Sequence, residues 1–145
     1  GGTTGLAILR RDGFASMDAD TEGGTLTTRP VTFAGRHLFV NANCPNGNLR
    51  VEVLDQDGQP IAPFTLENSI PLSEDTSLAA LKWKGDADLS ALAGETVRFR
   101  FHLERGSLYS FWVSPEETGA SQGYVAAGGP GFTSNRDTLG STPGQ

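Results

Sequence analysis

Cysteine is almost absent from this chain of 145 residues, in which Cys44 is the only one. A single cysteine excludes an intrachain disulfide and a zinc site made of Cys ligands. Because Cys44 precedes Pro45 at the end of an apolar segment, we expect a small buried hydrophobe; a reactive thiol is the alternative. The two histidines, His37 and His102, are far apart and in no metal-spaced cluster. We therefore expect neither a metal nor a cofactor.

Positive charge is also scarce, with 11 Lys and Arg against 17 Asp and Glu and a net charge of −6. Nucleic acids and anionic membranes attract clustered positive charge, so we expect neither as a partner. No apolar run approaches the roughly 20 residues that span a bilayer. The chain opens with Gly1-Gly2 and no initiator Met. We expect a processed fragment whose targeting segment lay upstream.

The familiar catalytic signatures are missing. The sequence contains no G-x-S-x-G elbow, no P-loop and no H-E-x-x-H pair. A catalytic triad could be assembled from its residues only arbitrarily. We therefore expect that this chain is not an enzyme and that any catalytic domain lies outside it.

Turn residues and short alternating runs dominate the sequence. The 19 Gly and 8 Pro imply many turns and little helix. Apolar residues recur with period two, which is typical of strands in a sandwich or barrel. These runs predict eight or nine strands by residue 114, in a jelly-roll-like antiparallel sandwich of two sheets. The runs are 6–11, 14–17, 25–33 (with Pro30 confining it to an edge or bulge), 37–43, 49–54, a looser 61–72, 78–84, 97–103 and 108–113. The only helical turn is expected near Asp88 to Ala93.

The inward positions of these runs define the expected core. It comprises Leu38, Val40, Val51, Val53, Leu81, Trp83, Val97, Phe99, Phe101, Leu103, Tyr109 and Phe111. The sandwich occupies residues 1–114. Residues 115–145 form an extended tail rich in Gly, Ser and Thr. Because the tail also contains Tyr124, Val125 and Phe132, we expect residues 120–133 to dock on the sandwich.

Two acidic stretches bear on metal binding. Asp18, Asp20 and Glu22 could hold a structural calcium ion, although a solvated loop is the simpler interpretation. The segment Asp55-Gln56-Asp57-Gly58 lacks the later ligands of a calcium loop, so we interpret it as a turn.

The candidate ligand site joins Trp112 to Arg98, Arg100 and His102. Trp112 alternates with the apolar residues of its run, and the three bases alternate with those of the preceding run. If the two runs form a hairpin, an indole and two guanidinium groups share one outer face. Such a set can stack on a sugar ring and bond its hydroxyls. Alternatively, the tail or another domain covers this face, in which case Phe39, Asn41, Asn43 and Arg36 are the next candidates.

Four segments together resemble a known family: GLAILRRDGFAS (5–16), VRFRFHL (97–103), LYSFWVS (108–114) and GYVAAGGPGF (123–132). They are similar to the C-terminal β-sandwich of secreted bacterial proteins related to glycoside hydrolase family 32. In those proteins a β-propeller precedes the sandwich and carries the catalytic carboxylates, so no catalytic residue transfers to this chain. The resemblance implies a secreted or extracytoplasmic setting and an upstream hydrolase-like domain.

Two functions follow as expectations. The first is a monomeric, non-catalytic accessory module of a carbohydrate-active protein that binds glycan weakly. The second is a purely structural domain that stabilises the adjacent catalytic β-propeller. The partner is accordingly a glycan or that neighbouring domain.

Overall fold

Apolar side chains at every second position give each strand one apolar and one polar face. The fold forms when the apolar faces of the two sheets pack against each other. In the computed structural model, which describes residues 2, 10, 13–121 and 136, seven strands form two antiparallel sheets. They are β1 (Met17–Ala19), β2 (Gly24–Thr27), β3 (His37–Asn43), β4 (Asn48–Leu54), β5 (Asp75–Leu81), β6 (Arg98–Glu104) and β7 (Gly106–Ser114). The predicted β-sandwich is confirmed.

Consecutive strands never pair within the described part of the chain. Sheet A has the order β1-β7-β3-β5, and sheet B has the order β2-β6-β4. Every connection from one strand to the next therefore crosses from one sheet to the other. The residues Glu104, Arg105 and Gly106, predicted to close a hairpin, instead carry the chain from sheet B to sheet A, with Arg105 at a φ of 49°.

The core lies between the two sheets. Most predicted core residues are fully buried there: Leu38, Val40, Val51, Val53, Leu81, Trp83, Val97, Phe99, Phe101 and Leu103. Phe111 is partly buried against them. The indole Nε1 of Trp83 donates a hydrogen bond to Val51 O at 3.1 Å, which satisfies its one polar atom.

Tyr109 is the exception, and its prediction as a core residue is wrong. The pairing of β7 with β3 shifts between Asn41↔Ser110 and Ala42↔Leu108, so Tyr109 is the extra residue of a β-bulge. The bulge makes Leu108 the buried residue. Strict alternation cannot anticipate an inserted residue.

The remaining segments depart from the prediction only in detail. The only helical element among the described residues is one 3₁₀ turn, Leu89–Leu92, capped by Asp88, as predicted. β2 is an edge strand that ends before Pro30. The run 61–72 forms isolated bridges to β4 and to Trp83 rather than a strand, and the run 6–11 lies outside the described residues except for Arg10. The described part therefore has seven strands, not eight or nine.

The first residues of the predicted tail lie against sheet A. Gly119 and Ala120 are buried, and Ser114 Oγ donates a hydrogen bond to Ala120 O at 2.7 Å. Residues 122–133, the rest of the segment expected to dock, lie outside the described residues.

Candidate functional site

The outer face of sheet B carries three of the predicted site residues together. Arg98, Arg100 and His102 alternate along β6 with the buried Phe99, Phe101 and Leu103. On β6's two neighbours, His102 lies opposite Thr25 and Arg50, and Arg100 lies opposite Thr27 and Glu52. Because directly opposed residues of antiparallel strands share a face, these side chains form a polar surface across all three strands. We call this surface the sheet B face.

Glu52 is the buried centre of the sheet B face, with 4% of its surface exposed. Its Oε1 accepts a hydrogen bond from Arg100 Nε at 2.7 Å and lies 2.9 Å from His102 Nε2. Burial opposes ionisation of this carboxyl, but the hydrogen bonds from His102 and Arg100 outweigh it and lower the pKa of Glu52 below its ordinary value. Glu52 therefore holds both neighbouring bases in fixed positions.

A depression of about 470 Å³ opens at one end of the sheet B face. Arg50, His102, Asn48, Glu104 and Thr25 contribute polar side chains to its lining. Asn48 Nδ2 donates to Glu104 Oε2 at 3.3 Å. The guanidinium of Arg50 makes no hydrogen bond or ion pair with any residue that the structure describes, so its donors are available to a ligand.

Trp112 does not join this surface, which corrects the predicted site. Because β6 and β7 belong to different sheets, Trp112 lies on the outer face of sheet A, on the opposite side of the sandwich. Its ring stacks on Phe39 at a centroid distance of 5.9 Å, and its Nε1 donates to Gly119 O at 2.9 Å. The indole is half-buried under the beginning of the tail, as the alternative interpretation of this face expects.

The next candidates, Arg36, Phe39, Asn41 and Asn43, do not form one site either. Arg36 and Phe39 line a second depression, of about 370 Å³, in which Arg36 Nη2 is 2.6 Å from Asp88 Oδ2. Asn41 is buried and accepts a hydrogen bond from Arg10. Asn43 ends β3, paired with Asp75 and Ser107.

The carboxylates of the two acidic segments accept hydrogen bonds from residues near them in the sequence, and Asp18 lies within β1. Asp20 Oδ1 accepts from the amide of Glu22, and Asp18 Oδ1 accepts from Ser16 Oγ at 2.7 Å. Asp55 Oδ1 accepts from the amides of Asp57 and Gln59, which makes the segment a turn, as predicted. Within the described ranges, no three His, Cys, Asp or Glu side chains converge as metal ligands.

Cys44 is fully buried next to β3, in agreement with the prediction of a small hydrophobe. Its Sγ contacts Leu72 O at 3.4 Å and Glu74 O at 3.6 Å. Burial raises the pKa of this thiol, which disfavours the reactive thiolate.

Arg50 and Glu52 are the site residues that the sequence prediction missed. Both stand on the polar side of the run 49–54, so their outward direction could be read from the alternation. Their pairing with β6 could not be read, because β4 and β6 are separated by β5 in the sequence and nothing local specifies a non-sequential neighbour.

No protein-family model matches the chain, and no curated protein or solved structure matches it. Among the described residues, no helix is long and apolar enough to span a membrane.

Proposed function

We propose that this chain is a non-catalytic accessory module that binds glycan weakly on the sheet B face. The observation that carries the proposal is the unpartnered guanidinium of Arg50, which borders a depression beside the fixed Glu52–Arg100–His102 cluster. A concave surface with a few convergent polar groups is the usual form of a small-ligand site.

The chemistry of this surface suits sugar hydroxyls. A hydroxyl group both donates and accepts hydrogen bonds, so it matches a lining that alternates donors with acceptors. Arg50 supplies donors, Glu104 supplies acceptors, and Asn48 and Thr25 supply both. The carboxylates of Glu52 and Glu104 offset the positive charges of Arg50 and Arg100, which favours a neutral saccharide.

Affinity should be modest because no Phe, Tyr or Trp among the described residues lines the depression. A sugar ring held there gains hydrogen bonds but no stacking, and each bond replaces one that it made with water. We expect a dissociation constant on the order of 1 mM for a short saccharide. Attachment to a carbohydrate-active, secreted bacterial protein, which the family resemblance implies, would make such weak binding useful by avidity.

Affinity-gel retention tests this proposal. The unmodified chain and its Arg50→Ala variant are run through gels that contain neutral or acidic polysaccharides. We expect the unmodified chain to be retarded by at least one neutral polysaccharide and Arg50→Ala to lose at least about tenfold in affinity, since a hydrogen bond to a charged group contributes roughly 1.5–3 kcal/mol. Lys84→Ala is the control, because Lys84 is exposed in the connection after β5 and does not line the depression.

Equal retardation of Arg50→Ala and the unmodified chain would show that glycan binds elsewhere on the chain. Absence of retardation across a broad panel of glycans would favour the second candidate, a structural domain that stabilises an adjacent catalytic β-propeller. Two large exposed apolar side chains favour that role: Phe14, three residues before β1, is 87% exposed, and Met17, the first residue of β1, is 55% exposed. A neighbouring domain that covered them would remove this apolar surface from water.

A further inference from the structure

The outer face of sheet A contains an irregularity on both sides of one position in β3. The β3–β7 pairing shifts between Asn41 and Ala42, and the β3–β5 pairing shifts between Val40 and Ala42. Two bulges therefore flank the same point of the central strand. A bulge disrupts the ladder locally and leaves backbone groups free for other partners.

The guanidinium of Arg10 occupies this point. Its Nε donates to Asn41 Oδ1, its Nη1 donates to Asp75 Oδ1, and its Nη2 donates to Ala42 O at 2.8 Å and to Thr76 O. The ring of Tyr109, the extra residue of the β7 bulge, lies 4.8 Å from the guanidinium carbon. All three guanidinium nitrogens thus donate hydrogen bonds, and the guanidinium group also contacts the ring of Tyr109.

These contacts form a built site rather than a surface ion pair. Asn41 is only 1% exposed and the Arg10 side chain is 21% exposed, whereas the Asp75 side chain is 55% exposed. The acceptors come from β3 and β5, whose residues lie 31 to 66 positions from Arg10 in the sequence. The guanidinium thus makes four hydrogen bonds, one of them to the Asp75 carboxylate, and one ring contact, whereas an isolated exposed ion pair contributes little to stability.

The arrangement selects a guanidinium over an ammonium group. A guanidinium presents five N–H donors in one plane and stacks on aromatic rings, so it can satisfy acceptors on three sides at once. A lysine ammonium has three donors around a single atom and cannot replace both Nε and the two terminal nitrogens. The site is therefore specific in shape as well as in charge.

We propose that the outer face of sheet A carries a binding site for an alkylguanidinium group, formed by Asn41, Asp75, Tyr109 and the carbonyls of Ala42 and Thr76. Arg10 is its occupant within the chain. When Arg10 is removed, the vacated site binds a free alkylguanidinium ion. This role is independent of glycan binding, which we place on the opposite face.

Chemical rescue tests the proposal. Arg10→Ala is melted with increasing N-ethylguanidinium chloride or, at the same ionic strength, with ethylammonium chloride. We expect Arg10→Ala to melt several degrees below the unmodified chain and N-ethylguanidinium to restore part of that loss with a saturable midpoint on the order of 10 mM, a concentration comparable to that of a tethered side chain. Ethylammonium restores nothing. The unmodified chain gains nothing from either ion, because Arg10 fills the site.

Two variants make the rescue specific. Arg29→Ala, which removes an exposed arginine with no side-chain partner among the described residues, should show no response to N-ethylguanidinium. Arg10→Ala combined with Asp75→Asn should lose the response, because the carboxylate that attracts the cation is gone. Equal effects of the two ions on Arg10→Ala, or an unchanged melting temperature of that variant, would overturn the proposal.

If Arg10→Ala fails to fold, hydrogen exchange in the unmodified chain still tests whether the guanidinium site is formed. The Nε–H of a bound arginine exchanges slowly with water and gives a resolved NMR signal. We expect Arg10 to show at least tenfold slower Nε–H exchange than Arg29, since one is bonded and the other exposed. Equal exchange rates would contradict a formed site.

Discussion

The rings of Phe39 and Trp112 lie stacked on the outer face of sheet A, 5.9 Å apart with an angle of 18° between their planes. They are directly opposed residues of β3 and β7. Gly119 packs over them so closely that a Cβ there would lie 2.8 Å from Phe39 Cε1. The pair therefore anchors the chain that leaves β7.

Removing the indole should lower stability without affecting glycan binding. Trp112→Ala loses the stack on Phe39 and the hydrogen bond to Gly119, so we expect the free energy of unfolding to fall by about 2 kcal/mol, below the roughly 3–5 kcal/mol typical of a fully buried aromatic. Urea unfolding measures this loss. Trp112→Phe, which retains a ring, should lose less. Loss of glycan retention in Trp112→Ala with unchanged stability would restore the indole as the sugar platform.

Phe101 tests the placement of the core. Its side chain is 1% exposed, and its ring centroid lies 5.0 Å from that of Phe111 across the two sheets. Phe101→Ala should lower the free energy of unfolding by about 3–5 kcal/mol, because the large cavity cannot collapse completely. Thr27→Ala, on the exposed side of β2, should change it by less than about 0.5 kcal/mol. Similar values for the two variants would mean that the strand faces are assigned the wrong way round.

A substitution at Gly47 tests the close contact between two of the turns that carry the chain from one sheet to the other. The turn that contains it links β3 to β4 and lies against the turn that links β6 to β7. A Cβ at Gly47 would lie 1.7 Å from Glu104 O, so the two backbones would have to separate. We expect Gly47→Ala to cost about 3 kcal/mol of stability, at the upper end for overpacking. Gly24→Ala is the control, because its Cβ would meet only Ala19 Cβ at an ordinary 3.8 Å. Equal melting temperatures for the two variants would contradict this contact.

Glu52 makes stability depend on pH in a defined direction. Its pKa in the folded chain lies below the ordinary value of 4.5, so the folded chain binds fewer protons at this site than the unfolded chain does. The stabilisation is complete above pH 4.5 and is lost as pH falls through the lowered pKa. We expect Glu52→Gln to be less stable than the unmodified chain at pH 7.

The difference in free energy of unfolding between Glu52→Gln and the unmodified chain should shrink as pH falls below 4.5, the ordinary pKa of this glutamate. Urea unfolding at pH 7, 5, 4 and 3 follows this difference. A gap that stays constant over that range would show that the cluster stabilises the chain through packing rather than through the charge of Glu52.

The strands and core of this protein could largely be predicted from alternation alone. The run 97–103 predicts β6 to within one residue, and its four apolar members are all buried. Alternation indicates only whether each side chain points toward the core or away from it. It therefore identified Arg98, Arg100 and His102 as outward-facing residues of one strand.

The alternation pattern does not specify which strands pair with each other. The step from β6 to β7 crosses between sheets at Glu104–Gly106, and a hairpin would have the same Gly-containing turn. Because of this ambiguity, alternation alone places Trp112 on the same face as Arg98, Arg100 and His102. Arg10 and the β7 bulge at Tyr109 were equally unpredictable, since both depend on contacts between residues far apart in the sequence.

NMR chemical-shift mapping tests whether glycan binds to the sheet B face. The isotopically labelled chain is titrated with a soluble oligosaccharide derived from the polysaccharide that retards it best, or from a neutral panel if none does. We expect progressive chemical-shift changes of the amides in 24–27, 48–52 and 100–104, with the signals of the Arg50 side chain among those that shift most. Shifts confined to Trp112 and the residues of sheet A, or no shifts at saturating saccharide, would contradict it.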